Sequence, residues 1–317
     1  MLQYYPKKDK PIRKVSGPMN IALLNMMPDA ALKATDRQFL RLLSGHDDVS
    51  LFRYTYPEIS RSKKALEYVE QAYQSEDEIR VMNPDAVIIT GANVSDPRLE
   101  IQSFWKPLQE TMAWTNDTGC PVLCSCLSSH AVMQFWYGER RLALPQKIWG
   151  VFEHEVVAGD HVLATGLPAV VPVPQSRFNE ITVTQFQAAG FDVIIADSTA
   201  GVHLAANKDN SLVLMQGHPE YDDVSLLKEY KREVGLFVDG LRDDYPPMPE
   251  FILEPEGLGI LETHQQSIEK ASVGGGASKK TMKFPELEVK PFLTHQWNDS
   301  AKQVFDNWLI ALRCHSI

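Results

Sequence analysis

The stretch PVLCSCLSSHAVMQFWYG, residues 121–138, decides the fold because a short apolar strand runs directly into a helix-like segment. Cys126 stands at the junction. A thiol at such a turn is exposed at the edge of a sheet, where the amides of a helix N-terminus stabilise a thiolate. A tight turn also needs small neighbours; Ser125 and Ser128 are small, whereas Leu127 is not. These residues leave two interpretations open: Cys126 is a nucleophile, or it packs as a small hydrophobic core residue.

Segments of alternating type around this turn predict a parallel sheet. Strand-like apolar runs lie at 20–27, 49–56, 85–91 and 121–125, and helix-like segments follow them at 35–45, 62–73, 101–116 and 127–138. Strands that alternate with helices of about ten residues or more are typical of α/β proteins built from βαβ units. Such sheets bind ligands at the carboxyl ends of their strands, so we expect the functional site there.

The second half of the chain has a different pattern. Short β-like pieces separated by Gly, Pro and Asp lie at 151–157, 161–165, 169–178, 181–186 and 191–198. Residues 201–217 predict a hairpin that turns near Asp209 and Asn210. Low hydrophobicity and the sequence VGGGASKK predict a flexible insertion at about 253–290. An amphipathic helix is expected at about 301–314, and residues 1–317 are predicted to form a single domain.

Composition argues against several classes of protein. Hydrophobic residues make up 44% and charged residues 23% of the 317 residues, which is ordinary for a soluble globular protein. No apolar run approaches the length of a membrane span, and the N-terminus lacks a signal-peptide pattern, so we expect a cytoplasmic protein without a membrane partner. The formal charge of −10 argues against a nucleic-acid partner.

The four cysteines do not predict a disulfide framework or a metal site. Four cysteines in a chain of 317 residues are too few for a disulfide-based scaffold. The spacing C-x3-C-x-C with His130 nearby does not match the repeated pairs typical of zinc sites. We therefore expect no metal.

A second motif, QGHPEYDD at 216–223, places His218 and Glu220 directly after an apolar strand. A cysteine nucleophile needs a base within hydrogen-bond reach, and a carboxylate orients the imidazole of that base. An isolated His-x-Glu is more often a solvent-facing histidine followed by a carboxylate at a helix start than a catalytic pair. On strand ends of one sheet, however, Cys126, His218 and Glu220 predict a catalytic set.

Backbone amides near Cys126 are candidates for an oxyanion hole. The amide of Leu127 directly follows the predicted nucleophile, and the loop TGAN at 90–93 follows a neighbouring strand. Gly91 and Ala92 of that loop could supply further donors to a developing oxyanion.

Longer motifs resemble the homoserine O-succinyltransferase and O-acetyltransferase family, a branch of the class I glutamine amidotransferase-like fold. The matching stretches occur in order along almost the whole chain: LNMMPDAALKATDRQFLRLLS (24–44), IITGANV (88–94), CLSSHAVMQFWYG (126–138), QKIWGVFEHEV (146–156), PQSR (174–177), AGVHL (200–204), GHPEYD (217–222), LKEYKRE (227–233) and FDNWL (305–309). The resemblance implies an α/β, flavodoxin-like three-layer sandwich with a mostly parallel central sheet.

The resemblance also implies an acyltransferase that works by a ping-pong mechanism. Cys126 would take an acyl group from an acyl-CoA, and His218, oriented by Glu220, would activate the hydroxyl of homoserine for methionine biosynthesis. Serine or another hydroxy amino acid is the alternative acceptor, because departures such as Gln175, where the family commonly has histidine, fit a divergent member. No cofactor besides the acyl-CoA co-substrate is implied, and relatives are typically homodimers.

Four further residues match positions that bind the amino-acid substrate in this family: Lys147, Ser176, Glu229 and Arg232. Glu229 and Arg232 are three residues apart, so they share one helix face, where a guanidinium could bind a carboxylate and the carboxylate an ammonium. Taken alone, the same residues fit an exposed helix ion pair and a surface lysine.

Ser95 matches the family position that selects the acyl donor. A small, neutral residue there favours succinyl-CoA, while the adjacent Asp96 keeps acetyl-CoA as the alternative, since a carboxylate would repel the succinyl group. The basic pairs at 7–8 and 140–141 are candidates for the CoA phosphates or are solvated surface charge. A glutamine amidohydrolase and a catalytically inactive binding protein remain as other functions that this fold could serve.

Overall fold

The computed structural model describes residues 18–94, 96–273, 279–294 and 296–314, and the described part of the chain contains a nine-stranded sheet. Its strands are β1 (Met19–Leu24), β2 (Val49–Tyr54), β3 (Ala86–Ile89), β4 (Val122–Ser125), β5 (Leu142–Val156), β6 (Val170–Glu180), β7 (Asp192–Asp197), β8 (Gly201–Ala206) and β9 (Leu212–Met215). They are ordered β2-β1-β3-β4-β9-β8-β7-β5-β6 across the sheet.

Helices surround this sheet. They are α1 (Asp29–Leu42), α2 (Lys63–Ala72), α3 (Glu76–Met82), α4 (Trp105–Thr118), α5 (Leu127–Tyr137), α6 (Val183–Ala188), α7 (Ser225–Asp239), α8 (Pro255–Val273), α9 (Glu286–Val289) and α10 (Asn298–Cys314). Short 3₁₀ turns lie at Leu99–Ile101, Val162–Ala164, Lys279–Thr281 and Lys290–Phe292. None of the helices in the described ranges is both long and apolar enough to cross a membrane.

The central strands are parallel, as predicted. The pairings of β2 with β1, β1 with β3, β3 with β4 and β4 with β9 are all parallel. This is the flavodoxin-like order 2-1-3-4, with β9 as the fifth strand. Ser125 at the end of β4 is opposite Met215 at the end of β9. The segments that leave these two strands therefore start side by side.

The rest of the sheet is antiparallel. Strand β9 pairs with β8, β8 with β7, β7 with β5, and β5 with β6. The pairing of β5 with β6 shifts register between Ala143 and Ile148. Beyond that irregularity, Trp149 is opposite Ser176, so the segments around Lys147 and Ser176 lie together.

Two hydrophobic cores cover the two faces of the sheet. Ile21 and Leu23 belong to one core, whereas Ala22 and Leu24 belong to the other, because alternate residues of a strand point to opposite faces. The first core includes residues of α1, α7 and α10, and the second includes residues of α4 and α5. Helices on both faces of one sheet make a three-layer α/β sandwich, which confirms the predicted fold class.

The segment at 253–290, predicted to be a flexible insertion, is helical over α8 and α9. Leu261 and Ile268 of α8 are seven residues apart and fully buried, so one face of this helix packs into the first core. The sparse apolar positions therefore form one helical stripe. The C-terminal helix, expected at about 301–314, begins three residues earlier at Asn298.

Two pieces predicted to be β-like are also corrected, and one helix was missed. Residues 161–165 form a 3₁₀ turn, and residues 181–186 lead into helix α6. Thr182 and Gln185 form a capping box that starts α6 and overrides the local β-propensity. The missed helix α3 begins with a similar box, formed by Ser75 and Glu78.

Candidate active site

Cys126 occupies a strained turn between β4 and α5, which we call the nucleophile elbow (residues 125–129). Its backbone has φ 53° and ψ −115°, which is unusual for a residue with a side chain. Its amide donates a 2.7 Å hydrogen bond to the carbonyl of Met215 at the end of β9. Ser128 Oγ donates to the carbonyl of Ile89 and Ser129 Oγ to that of Met215, both at 2.9 Å. The two serines thus fasten the elbow to the ends of β3 and β9.

Exposure distinguishes Cys126 from the other cysteines of the sheet. Cys120 and Cys124 are buried, whereas Cys126 is partly exposed. Burial raises the pKa of the Cys124 thiol to about 12, so this thiol stays protonated. Cys124 is the core residue in this stretch, and Cys126 is placed to react.

The predicted oxyanion loop lies against the elbow. A Cβ atom added to Gly91 would lie 3.3 Å from Cys126 Cβ and 3.6 Å from the amide nitrogen of Leu127. Leu127 is the first residue of α5, so its amide has no acceptor within the helix. The structure therefore brings Gly91 and Leu127 together beside the sulfur, with Ala92 following in the same loop.

His218 follows β9 and meets both of its predicted partners. Its Nδ1 lies 2.8 Å from Glu220 Oε1, and its pKa responds to the Cys126 side chain. His218 and Glu220 are each 6% exposed. The backbone amide of His218 donates a 2.8 Å hydrogen bond to the carbonyl of Pro174, which fixes the start of this loop.

Electrostatics favour a charged imidazole in this arrangement. Burial lowers the pKa of His218, but the negative charges on Cys126 and Glu220, with hydrogen bonds to both side chains, raise it well above its usual value. The raised pKa favours a protonated imidazole beside Cys126 and Glu220.

A second charged cluster lies next to the histidine. Glu229 of α7 accepts hydrogen bonds from Ser176 Oγ at 2.7 Å and Tyr221 Oη at 2.6 Å, and Lys147 Nζ lies 3.4 Å from its Oε2. The Tyr221 ring stacks on the His218 ring, with centroids 4.4 Å apart. The predicted substrate residues Lys147, Ser176 and Glu229 are therefore gathered beside the predicted base.

Both members of the Lys147–Glu229 pair are shifted by their surroundings. Burial lowers the pKa of Lys147, and the charge of Glu229 opposes this shift only in part. Burial alone would raise the pKa of Glu229, but the Lys147 charge and the bonds from Ser176 and Tyr221 lower it. Lys147 Nζ also lies 3.6 Å from the centroid of the Trp149 ring.

Arg232 is not part of this cluster. It lies on α7 one turn after Glu229, as expected, but its guanidinium bonds Glu233 at 3.1 Å and its side chain is 59% exposed. The structure therefore brings Lys147, Ser176 and Glu229 together, whereas Arg232 contacts Glu233 and its substrate-binding role stays a prediction.

Comparison with known proteins shows which family the chain belongs to. The homoserine O-succinyltransferase family model matches residues 6–313. A homoserine O-succinyltransferase from Allochromatium vinosum is 47% identical over 295 residues, covering 92% of this chain and 82% of the relative. One from Nitrosococcus oceani is 44% identical over 295 residues, with the same coverage. The chain belongs to the homoserine O-succinyltransferase family. It is a transferase enzyme.

Solved structures that resemble this family member are more distant. A glutamine amidotransferase from Thermotoga maritima is 12% identical, covers 93% of this chain and 96% of its own, and has a TM-score of 0.48. A glutamine amidotransferase from Methylobacillus flagellatus is 13% identical, covers 93% of this chain and 94% of its own, and also has a TM-score of 0.48.

Asp96, which follows the predicted donor selector, is paired with an arginine. It accepts hydrogen bonds from the guanidinium and the amide of Arg98, which lower its pKa to about 2. Ser95, the predicted donor selector, lies outside the described residues, as do the lysines at 7–8. Among the described residues, no group of three or more His, Cys, Asp or Glu side chains could hold a metal.

Two residues of this site had no role in the sequence reasoning. Tyr221 joins the histidine to Glu229, and Arg41 of α1 donates to the carbonyls of Glu220 and Tyr221 at 2.9 and 3.0 Å. Trp297 Nε1 donates to the same Tyr221 carbonyl at 3.1 Å. Arg41 and Tyr221 both lie within the quoted family motifs. A sequence motif, however, does not indicate which distant backbone carbonyls an arginine side chain will contact in the fold.

Proposed function

We propose that the enzyme transfers a succinyl group from succinyl-CoA to the hydroxyl of L-homoserine through an acyl-enzyme on Cys126. The observation that carries the proposal is the His218 ring, which is bonded to Glu220 at 2.8 Å and stacked on Tyr221, whose hydroxyl bonds Glu229 of the second charged cluster. The O-acylated product would feed methionine biosynthesis. Cytoplasmic location and homodimer formation stay predictions.

In the first half-reaction, the Cys126 thiolate attacks the thioester carbonyl carbon and forms a tetrahedral oxyanion. Collapse of this intermediate breaks the bond to the CoA sulfur, and His218 gives its proton to that leaving group. The amides of Leu127, Gly91 and Ala92 would stabilise the oxyanion, which the closeness of Gly91 to Cys126 Cβ and to the Leu127 amide supports. An acyl-cysteine and a neutral His218 remain.

In the second half-reaction, neutral His218 takes the proton of the acceptor hydroxyl while the oxygen attacks the acyl-cysteine carbonyl. The ester forms as the Cys126 thiolate leaves, so the imidazolium–thiolate pair is restored. The hydrogen bond from His218 Nδ1 to Glu220 leaves Nε2 to face the reacting atoms. The tautomer follows from the position of the carboxylate.

The second charged cluster suits an amino-acid acceptor. The lowered pKa of Lys147 means that its charge is not fully balanced by Glu229, so an incoming carboxylate stabilises it. Glu229, which stays ionised, is placed to accept the ammonium group of the acceptor. Because Tyr221 bonds Glu229 and stacks on His218, the second charged cluster lies next to the proposed base His218.

Succinyl-CoA is favoured as donor over acetyl-CoA by the state of Asp96. An unpaired carboxylate near the acyl group would repel the succinyl carboxylate, but the Asp96 carboxylate is bound by Arg98 through both oxygens. The neutralised pair removes that repulsion. The relatives, which are homoserine O-succinyltransferases by name, support the same donor.

Intact mass spectrometry tests the proposal. Incubation with succinyl-CoA alone should add about 100 Da to the protein, and acetyl-CoA less readily about 42 Da, as expected for a covalent acyl-enzyme. Cys126→Ala should show no adduct, while Cys314→Ala, which removes an exposed thiol, should keep it. Absence of an adduct from either donor would contradict the proposal in favour of an inactive binding protein, and glutaminase activity would favour an amidohydrolase.

The acceptor is tested by adding homoserine or serine to the enzyme with excess succinyl-CoA and following free CoA, because each further CoA is released only after the acyl-cysteine has passed its acyl group to the acceptor. Release of CoA in multiple turnovers with homoserine supports the proposed acceptor. Release with serine but not homoserine would preserve the mechanism and replace the acceptor by the serine alternative.

A further inference from the structure

A cavity of about 380 Å³ lies at the carboxyl ends of β1, β2 and β3. Its walls come from the loops that follow these strands, with Met26 after β1, Ser60 after β2 and Ala92 after β3, and from the segment that leads into α4, with Ser103 and Phe104. This volume falls within the range of about 300 to 1,000 Å³ that is typical of small-molecule sites. Apart from Ala92, its lining has no part in the chemistry described above.

The position of the cavity follows from the order of the strands. Strands β1 and β3 are neighbours, but the helices that follow them pack on opposite faces of the sheet. Phe39 and Leu42 of α1 belong to the first core, whereas Leu108 and Met112 of α4 belong to the second. The loops that leave β1 and β3 therefore diverge and leave a crevice between them. Open α/β sheets bind ligands in such a crevice.

The cavity is connected to the nucleophile through the oxyanion loop. Ala92 lines the cavity, and a Cβ atom added to the preceding residue, Gly91, would lie 3.3 Å from Cys126 Cβ. Because adjacent Cα atoms are about 3.8 Å apart, no more than roughly 9 Å separates Ala92 Cα from Cys126 Cβ. A ligand that fills the cavity can therefore place one of its ends at the sulfur.

The lining suits an uncharged chain that is partly polar. Met26 and Phe104 are buried and supply apolar contacts, whereas Ser60, Asn93 and Ser103 are exposed. Serine hydroxyls and an asparagine amide can hydrogen-bond the amide groups of a ligand. Among the described residues that line the cavity there is no lysine or arginine, so a phosphate or a free carboxylate would find no cation there.

Asp29, the carboxylate in the described part of this lining, is already paired. Its Oδ2 accepts a 2.8 Å hydrogen bond from the amide of Ser62, and its Oδ1 lies 3.5 Å from Nη1 of Arg61. The Arg61 side chain is 1% exposed and also donates to the carbonyl of Met27 at 3.0 Å. The charge of Asp29 is therefore balanced, and this wall of the cavity is held in place.

We infer that this cavity binds the pantetheine arm of the acyl-CoA donor and so delivers the thioester to Cys126. This inference rests on the proposed function and names the place where the donor enters. The arm is uncharged, carries amide groups and spans roughly 15 Å when extended, so its thioester end can reach the sulfur while the phosphates stay outside the cavity.

The strand order separates this cavity from the second charged cluster. The cavity lies at β2, β1 and β3, on one side of the strand that precedes Cys126, whereas Lys147 and Ser176 lie on β5 and β6, on the other side of it. Donor and acceptor would therefore approach the nucleophile from opposite sides.

The test compares donors that keep or lose the arm. Acylation of Cys126 without acceptor is followed by mass with succinyl-CoA, succinyl-pantetheine and succinyl-N-acetylcysteamine, whose thiol part ends after the first amide of the arm. Ser103→Trp fills the cavity from one wall and Ser60→Trp from another. In each variant, the acylation rate per concentration of the two long donors should fall about 10-fold or more, because binding of the arm is lost, and that of the short donor less than about threefold.

Ser44→Trp is the matched control, because Ser44 is exposed just after α1, at the opposite edge of the sheet, and all three rates should stay unchanged. Equal losses with all three donors in the cavity variants would assign the cavity to the oxyanion loop or to the fold. A loss confined to succinyl-CoA would assign it to the nucleotide, and no loss would exclude the donor from it; each of these results overturns the inference. If wild-type protein forms no acyl-enzyme with any donor, the proposed function fails instead.

A measurement without acyl transfer covers variants that are poorly active. In a Cys126→Ala, Cys314→Ala background the remaining cysteines are buried, so Ser103→Cys adds a reactive thiol in the cavity. S-Methylpantetheine, which has neither a thioester nor a free thiol, should slow alkylation of this thiol by iodoacetamide about fivefold or more as it saturates the site. Ser44→Cys in the same background should keep its rate. A lack of protection in folded Ser103→Cys, checked by its melting temperature, would contradict the inference even where the proposed function holds.

Discussion

Tyr221 contacts two buried ion pairs: His218 with Glu220, the first pair, and Lys147 with Glu229, the second pair. The pKa values of the two cations are shifted in opposite directions. The pKa of His218 is raised, because the charges of Cys126 and Glu220 outweigh the cost of burying the imidazolium. The pKa of Lys147 is lowered, because burial outweighs the charge of Glu229. The first pair is complete within the protein, whereas the second leaves a cation only partly balanced. In the proposed function, the carboxylate of the acceptor completes the second pair, so we expect the first pair to serve the chemistry and the second the recognition of the acceptor.

The two pairs also come from different parts of the sheet. Cys126 and His218 follow β4 and β9, which are adjacent parallel strands, so their spacing is set by regular sheet geometry. Lys147 and Ser176 lie on the antiparallel strands β5 and β6, and Glu229 lies on α7. Recognition thus depends on three elements from the second half of the chain, which can vary without moving the nucleophile.

The largest effect is expected from weakening the first pair with Glu220→Gln. The amide cannot hold the His218 imidazolium as the carboxylate does, so kcat should fall about 100-fold or more while KM for the acceptor changes little. Steady-state kinetics with both substrates varied measure this. Glu286→Gln, which removes a carboxylate paired with Lys231 on the surface, should leave both constants unchanged. An unchanged kcat in Glu220→Gln would show that Glu220 is merely structural.

A smaller effect with a different signature is expected from the second pair. Lys147→Met removes the cation that awaits the acceptor carboxylate, so KM for the acceptor should rise about 10- to 100-fold, as for loss of one charged hydrogen bond. Acylation of Cys126 without acceptor should be unchanged. Lys231→Met is the matched control, since Lys231 binds Glu286 at the surface. If Lys147→Met instead slows acylation, the division between chemistry and recognition is wrong.

The parallel half of the fold was predictable because each of its signals is local. The apolar run of β4, the helical pattern of α5 and the cysteine between them lie within 121–138, and the structure places them as expected. His218 could be placed for the same reason, since the end of β9 must lie at the same sheet edge as the end of β4. The strand order then follows from short, regular βαβ connections.

The rest of the site was not predictable because its contacts join distant segments. Glu229 and Arg232 share a helix face, so sequence spacing suggests that they act together, but Glu229 meets Lys147 from 82 residues away. The Arg41 contacts to the Glu220 and Tyr221 carbonyls span 179 and 180 residues. Neither hydrophobic period nor capping encodes such contacts, since they depend on how α1 and α7 pack on the finished sheet.

The smallest expected effect separates the two causes that act on His218 without measuring any rate. In wild-type protein the imidazole should keep its proton well above pH 6.5, the usual value for histidine, because negative charge outweighs burial. In Cys126→Ala the largest of the raising causes is lost while burial and Glu220 remain, so the pKa of His218 should move down. Titration of the ¹⁵N-labelled histidine rings by NMR gives both midpoints. Cys120→Ala removes a buried thiol bonded to the carbonyl of Pro84 and should leave the midpoint in place. Equal midpoints in wild type and Cys126→Ala would mean that no thiolate faces the ring. The charge of His218 would then be only partly balanced within the protein, as that of Lys147 is, and the contrast between the two pairs would be lost.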